Sequence, residues 1–267
     1  MQPHHHCTVL AGLITVWATF ACGGLAQPSL DAPYAPGETL TYDVSWSVFP
    51  AGQVTATLSK TREGGRDEFL ALTTARSQGF VSLLFTVQDE FRSFFDPDSN
   101  CSRRISKKIN EGRRHKETAI VFDSQRRLAV LDERDLTKPR DPPKHAENDI
   151  PPCVQDVVSA FYFLRRQPLE VGRQVHIPIN DGAKTYDVVV EVQAREKVQT
   201  PLGTLDAFRV EPRVFGGLYK RKGRMLIWLS DDKQRLPLRI KAMISVGSIT
   251  GTLRSTSNSP HNMSVSK

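Results

Sequence analysis

Residues 151–168 read PPCVQDVVSAFYFLRRQP and contain the clearest helical pattern of the chain. Apolar residues recur there at the spacing of one helix face, namely Val154, Val157, Val158, Phe161 and Leu164. The two prolines at the start are compatible with a first helical turn, and Pro168 ends the pattern because proline cannot continue a helix. The stretch therefore predicts one internal α-helix over about 153–167.

On both sides of this helix the sequence has the pattern of strands and turns. Residues 39–49, TLTYDVSWSVF, alternate apolar Leu40, Tyr42, Val44 and Trp46 with polar neighbours, which is typical of a strand with one buried face. Similar segments continue to residue 253, separated by turns rich in Gly, Pro, Asn and Asp. We therefore expect a mainly β fold, a curved antiparallel sheet or incomplete β-barrel, around a single internal helix.

The composition is that of a globular protein. Of 267 residues, 39% are hydrophobic and 24% are charged, which argues against a disordered chain and against a bundle of membrane helices. The net charge of +7 favours anionic partners, which include nucleic acid, anionic lipid and acidic polysaccharide. Charge alone does not choose among the three.

The N-terminus has the features of an export signal. Residues 1–26 contain no Lys, Arg, Asp or Glu, and the apolar run 7–22 is too short to span a bilayer. A small-residue site ending at Ala26 predicts a signal peptide over 1–26 and a periplasmic or otherwise exported protein. The alternative is cleavage before a lipidated Cys22, giving an outer-membrane lipoprotein, although the preceding Thr-Phe-Ala departs from the usual lipobox. The mature chain has no second apolar segment of membrane-spanning length.

The remaining sequence divides into three parts. Residues 27–37 are Pro-rich and are predicted to be a linker, 38–254 form a single β-rich domain, and 255–267 are a polar tail. The tetrapeptide TYDV occurs at 41–44 and again at 185–188, which leaves open two related β halves flanking the helix.

Two cysteines lie in the predicted mature domain. A pair of cysteines in an exported chain favours a disulfide between Cys101 and Cys153. Such a bond would hold the start of the helix against the strand region near Cys101.

Patterns associated with catalysis are missing from the sequence. The histidines outside the N-terminal region are scattered singly, and there is no nucleophile elbow, phosphate-binding glycine loop or dinucleotide fingerprint. We therefore expect a protein that is not an enzyme, with no catalytic residues, no metal site and no cofactor.

Basic residues and aromatic residues supply two candidate binding features. Arg103, Arg104, Lys107 and Lys108 are close together on a predicted hairpin, either as a solvated strand face or as a platform for anionic head groups or polysaccharide. Nucleic acid is disfavoured by the export signal and by the lack of a nucleic-acid-binding motif. The run 161–163, Phe-Tyr-Phe, indicates a helix that is either buried against the sheet or shielding an apolar cavity.

Several segments resemble a family of bacterial exported proteins known as domain of unknown function 3108. They are GETLTYDVSW with the following AGQVT, PPCVQDVVSAFYFLR, TPLGTLDAFRVEP and GRMLIWLSDDKQRLPLRIKA, and the resemblance spans roughly 37–253. It implies a mostly β envelope protein and carries over no catalytic residue. The later segments also look like the periplasmic lipoprotein-carrier fold, a curved half-barrel that holds acyl chains under helices.

These expectations combine into one functional hypothesis: a non-enzymatic exported envelope protein that binds a hydrophobic or amphipathic ligand, such as a lipid, in a β cavity. In that hypothesis Phe161 and Phe163 line or close the cavity. The basic residues Arg103, Arg104, Lys107 and Lys108 would meet an anionic head group or the anionic envelope surface. The alternative is a structural or assembly protein of the envelope with a filled core and no ligand.

Overall fold

The computed structural model describes residues 32–214 and 223–257. These residues form fourteen strands and two helices, in the order β1 Thr39–Trp46, β2 Phe49–Glu63, β3 Arg66–Ser77, α1 Gly79–Leu84, β4 Gln88–Phe95, β5 Ser102–Glu111, β6 Arg114–Asp123, β7 Leu128–Asp135, β8 Lys144–Asp149, α2 Ser159–Arg165, β9 Gln174–Asn180, β10 Thr185–Thr200, β11 Gly203–Val214, β12 Arg224–Ser230, β13 Pro237–Met243 and β14 Ser248–Ser257.

All strands belong to one antiparallel sheet, as the alternating sequence predicts. Its order is β8-β7-β6-β5-β4-β3-β2-β1-β14-β13-β12-β11-β10-β9. The sheet thus consists of two meanders, β1–β8 and β9–β14, which precede and follow α2 in sequence and are joined at the centre by the β1–β14 pair. The two TYDV segments lie in β1 at the centre and in β10 next to an edge, so they do not occupy equivalent strands.

The two edges of the sheet approach each other without forming a continuous ladder. The Asn180 side-chain amide donates to the Asn148 side-chain oxygen at 2.7 Å, and the Asn148 amide donates to the Gly182 carbonyl at 2.8 Å. Gln155, in the segment that leads into α2, makes an isolated parallel bridge to Ile179 of β9. The predicted curved, incompletely closed sheet is confirmed, and the segment that leads into α2 bonds to β9 at Gln155 and to the start of β5 at Val154.

Helix α2 is shorter than the predicted 153–167. Its first half is replaced by an extended segment, because the backbone of Gln155 bonds to the Pro178 carbonyl and to the Asn180 amide. The helix then begins after a reciprocal cap: the Asp156 carboxylate accepts from the amides of Val158 and Ser159, and the Ser159 hydroxyl accepts from the Asp156 amide.

The predicted domain boundaries also need correction. Within the predicted linker 27–37, Tyr34 is buried, donates to Asn100 and packs edge-on against Tyr162 at 5.0 Å between ring centroids. Residues 255–257 of the predicted tail belong to β14. The predicted signal peptide lies outside the described residues, and so do residues 27–31 of the linker and 258–267 of the tail. A second helix, α1, forms at Gly79–Leu84, although the sequence predicted a single internal helix.

The disulfide predicted from the cysteine count is present. Cys101 and Cys153 are bonded, and next to them the Ser102 amide donates to the Val154 carbonyl at 2.9 Å. Both links attach the segment before α2 to the start of β5, so they hold the helix across the concave side of the sheet.

Candidate functional site

A cavity of about 830 Å³ lies between α2 and the sheet. Its floor is one face of the five adjacent central strands β3, β2, β1, β14 and β13. On β1 the alternating residues Leu40, Tyr42, Val44 and Trp46 line it, since side chains two apart on a strand share a face. The alternation seen in the sequence thus forms the cavity floor.

The space exists because the neighbouring floor positions carry small residues. Gly52, Ala56, Ala75, Ala242 and Gly251 line the cavity, and a filled core would place larger side chains at such positions. The pairing Ala242↔Ile249 and Ile240↔Gly251 alternates a small with a large residue across β13 and β14. The floor is therefore apolar and hollow.

One face of α2 forms the roof. Val158, Phe161, Tyr162 and Arg165 line the cavity, and their spacing of three and four residues places them on one side of the helix. The opposite side carries Ala160 and Leu164, which pack into the buried cluster formed with β9–β12. Phe161 and Phe163 also pack against that cluster, and of these two only Phe161 lines the cavity.

The cavity opens at the end of the sheet where α1 lies. Leu84, Phe85, Ile244 and Ile249 line it and are also exposed to solvent, which marks them as its mouth. The polar groups that line the cavity include Arg76 and Glu111 near this end. An elongated apolar ligand could therefore enter from solvent or from an adjoining surface without the sheet unfolding.

At the other side of the roof, a buried ion pair links the last residue of α2, Arg165, to Glu38, which directly precedes β1. Arg165 donates to both carboxylate oxygens of Glu38 at 2.6 and 2.7 Å, and also to the carbonyls of Pro33 and Gln234. Both side chains are 1% exposed. Burial lowers the pKa of Arg165, but the hydrogen bond and charge of Glu38 outweigh it and leave this pKa raised, so the guanidinium stays charged.

Tyr42 and Tyr162 border the cavity near this ion pair. Burial raises the pKa of each phenol above its usual value, with smaller effects from neighbouring charges. Both groups are therefore neutral at physiological pH. Because the donors of Arg165 are bonded to the protein itself, we assign this group to the anchoring of the roof.

Comparison with known proteins identifies the family. A family model described as protein of unknown function (DUF3108) matches residues 41–254. The chain belongs to the DUF3108 family. No curated protein matches the sequence.

Two solved structures are similar to this DUF3108 protein. The first is the crystal structure of a beta-barrel-like protein of domain of unknown function DUF1849 from Brucella abortus, with 10% identity and a TM-score of 0.54, covering 82% of this chain and 96% of that one. The second, from Bacteroides fragilis, has a YmcC-like fold, 10% identity and a TM-score of 0.38, covering 85% of this chain and 98% of that one. The first likeness supports the barrel-like fold and nothing further.

The basic residues predicted to meet a head group lie away from the cavity of the DUF3108 protein. Arg103 pairs with Glu68 at 3.2 Å and with Asp96 at 2.5 Å, and Arg104 pairs with Glu68 at 2.9 Å and with Glu63. Two arginines are thus neutralised by acidic residues of β2, β3 and the β4–β5 turn.

The two lysines are not brought to the cavity either. Lys107 is half-buried; burial lowers its pKa, opposed by the charges of Asp156, Asp181 and Glu133. Lys108 is exposed and lies 3.7 Å from Glu117. The sequence also has a second basic cluster, Lys220, Arg221, Lys222 and Arg224; its first three residues lie outside the described residues, and Arg224 pairs with Glu211 at 2.8 Å.

The described residues contain no group of three or more His, Cys, Asp or Glu side chains arranged to hold a metal ion. In the same ranges, neither helix has the length and apolarity needed to cross a membrane. The described part therefore contains an apolar cavity. The alternating sequence predicted the strand face that forms its floor, but it did not predict its mouth.

Proposed function

We propose that this DUF3108 protein is a non-enzymatic, exported protein that binds one hydrophobic or amphipathic molecule in the cavity beneath α2. The observation that carries the proposal is the apolar cavity of about 830 Å³ with an open mouth. Protein interiors are close-packed and rarely keep voids much larger than a water molecule, whereas ligand sites typically occupy about 300–1,000 Å³. A space of this size that opens to the outside favours a ligand over a structural void.

The chemistry of the lining indicates the ligand class. Most side chains on the floor and roof are aliphatic or aromatic, the Arg165 guanidinium is bound to Glu38, and the charged groups near the mouth are Arg76 and Glu111. The ligand is therefore an apolar chain or ring system that enters with any polar group last, so that this group stays at the mouth near Arg76.

A cavity-filling substitution tests the proposal. Ala75→Leu adds volume inside the cavity, whereas Ala119→Leu makes the same change at a solvent-exposed position of β6 and serves as the matched control. Binding of an environment-sensitive fluorescent apolar probe, and its displacement by a fatty acid, would be measured for wild type and both variants. We expect the Ala75→Leu affinity to fall by about tenfold or more, since the added side chain occupies ligand space, and the control to match wild type.

Native mass spectrometry of gently purified protein, followed by organic extraction, would identify the natural ligand. We expect Phe161→Ala to reduce the amount of bound apolar molecule, because Phe161 lines the cavity. Phe163→Ala should leave that amount unchanged, because Phe163 does not line it. Wild-type protein that carries no ligand, binds no probe and shows no rise in unfolding temperature with lipid would refute the proposal in favour of a structural protein.

A further inference from the structure

The cavity opens where most of the exposed large hydrophobic side chains of the described residues lie. Three segments meet there: the β1–β2 turn at 46–49, the α1 segment at 79–85 and the β13–β14 turn at 244–248, here called the apolar rim. Contacts join them, since the Trp46 indole donates to the Val246 carbonyl at 3.0 Å and the Gln78 amide, next to α1, donates to the Ala51 carbonyl at 2.8 Å.

The side chains of the apolar rim are exposed to an unusual degree. Phe80, Leu83 and Leu84 are 68%, 82% and 64% exposed, and no residue of α1 is buried. Val48 and Val246 extend the same surface at 83% and 69% exposure. A helix normally buries its apolar side chains against the fold, so an apolar helix that leaves them in solvent points to a surface outside the chain.

The charged residues around the apolar rim indicate which kind of surface could cover it. The rim segments and the flanking stretches 76–78 and 110–114 carry three arginines and a single glutamate. Arg114 is paired with Glu111 at 3.2 Å, while Arg76 and Arg113 are exposed and form no salt bridge within the described residues. The β5–β6 turn that carries Arg113 touches the rim, because Gly112 donates its amide to the Thr86 carbonyl. Exposed apolar groups bordered by unpaired arginines match an anionic bilayer, whereas a second copy would bring like charges together.

We propose that the apolar rim docks on a bilayer that contains anionic lipid, with Phe80, Leu83 and Leu84 entering the interface and Arg76 and Arg113 facing head groups. The cavity mouth then faces the membrane, so that a ligand passes between bilayer and cavity without crossing water. The docking stands on the rim alone; the ligand transfer rests on the proposed function.

Vesicle flotation tests the docking. Wild-type protein would be mixed with phosphatidylcholine vesicles with and without phosphatidylglycerol. The rim variant Phe80→Ser/Leu83→Ser removes two exposed apolar side chains, and the matched control Leu202→Ser/Val121→Ser removes two exposed apolar side chains outside the rim. We expect wild type and control to float with anionic vesicles and the rim variant to lose about tenfold or more in binding.

A charge variant separates the two contributions. Arg76→Gln/Arg113→Gln should lower binding to anionic vesicles by about fivefold per arginine and leave the weaker binding to neutral vesicles unchanged. Wild-type protein that floats with neither vesicle would overturn the proposal, as would a rim variant that binds like wild type. Sedimentation showing lipid-free self-association that the rim variant abolishes, with no vesicle binding, would assign the rim to a second copy instead.

The docking and the proposed function fail in distinguishable ways. If both hold, the rim variant should still bind the fluorescent probe in solution, and Ala75→Leu should still float with vesicles. A protein that floats but binds no probe keeps the docking and loses the ligand cavity. A protein that binds the probe but does not float keeps the cavity and loses the docking.

Discussion

The buried ion pair between Arg165 and Glu38 gives the sharpest prediction for stability. Arg165→Met would leave the Glu38 carboxylate buried without its charged partner and would remove the donors from the Pro33 and Gln234 carbonyls. Because both charged side chains are 1% exposed, water cannot replace the lost contacts without opening the structure. Breaking such a pair typically costs about 3–5 kcal/mol in free energy of unfolding.

The same structure predicts that removing both charges is much less harmful than removing one. Arg165→Met/Glu38→Leu leaves no buried charge. We expect the double variant to lose only about 1–3 kcal/mol in free energy of unfolding, because the carbonyls that accepted from Arg165 lose that donor. The cost of the double variant should therefore be smaller than the sum of the single costs by about 3 kcal/mol or more, which is the coupling that a double-mutant cycle measures.

Urea unfolding followed by tryptophan fluorescence measures these free energies. With a slope of about 2–3 kcal/mol/M, a loss of 4 kcal/mol lowers the midpoint by about 1.3–2 M. Arg254→Met is the matched control, because Arg254 pairs with Asp43 at 3.3 Å between β14 and β1 with both side chains more than half exposed. Its cost should stay below about 1 kcal/mol. Additive single costs, or an Arg165→Met variant as stable as the control, would refute the assignment of this pair as the anchor of α2.

Three further predictions follow from single features of the fold. Replacing both Cys101 and Cys153 by Ala opens a loop of sequence separation 52 and should lower the free energy of unfolding by about 4 kcal/mol, measured in urea; an unchanged midpoint would contradict it. Gly182→Ala should cost about 1–3 kcal/mol in the same assay, because its φ is +100° and a Cβ would lie 2.7 Å from Leu131 Cδ1. Burial raises the pKa of Tyr34 from 10.0 to about 12. The contribution of the neutral phenol to the free energy of unfolding is therefore complete below pH 10 and is lost as the pH rises towards 12. Urea titrations at pH 9 and 11 should differ by about 1.4 kcal/mol more in wild type than in Tyr34→Phe.

Strand alternation was the part of the sequence that predicted structure best, because its cause is local. The spacing of Leu40, Tyr42, Val44 and Trp46 places them on one face whatever the rest of the chain does, and that face is the cavity floor. The disulfide was predictable because Cys101 and Cys153 are the only cysteines after the predicted signal peptide. Both inferences need no knowledge of which distant strands pair.

Features that depend on distant partners were not predictable. The helix loses its first half because Gln155 bonds to β9, and no local signal shows that competition. The apparent platform of Arg103 and Arg104 is neutralised by Glu68 and Asp96, which approach only when β3, β4 and β5 pair. A run of basic residues in sequence therefore says little about exposed charge in a long meander.

The aromatic run of α2 shows why the cavity itself needed the fold. Phe161 and Phe163 are both large, both lie in an apolar helix and both pack against the buried cluster of β9–β12, yet only Phe161 also lines the cavity. On β9–β12, Val, Ile and Leu fill the interior, whereas the strands that line the cavity with Phe161 carry Gly52, Ala75 and Gly251. Small residues on scattered strands become a cavity only when the sheet order brings them together under one roof. The cavity thus lies on the central strands, between the buried clusters of β5–β7 and β9–β12, and it opens at the apolar rim.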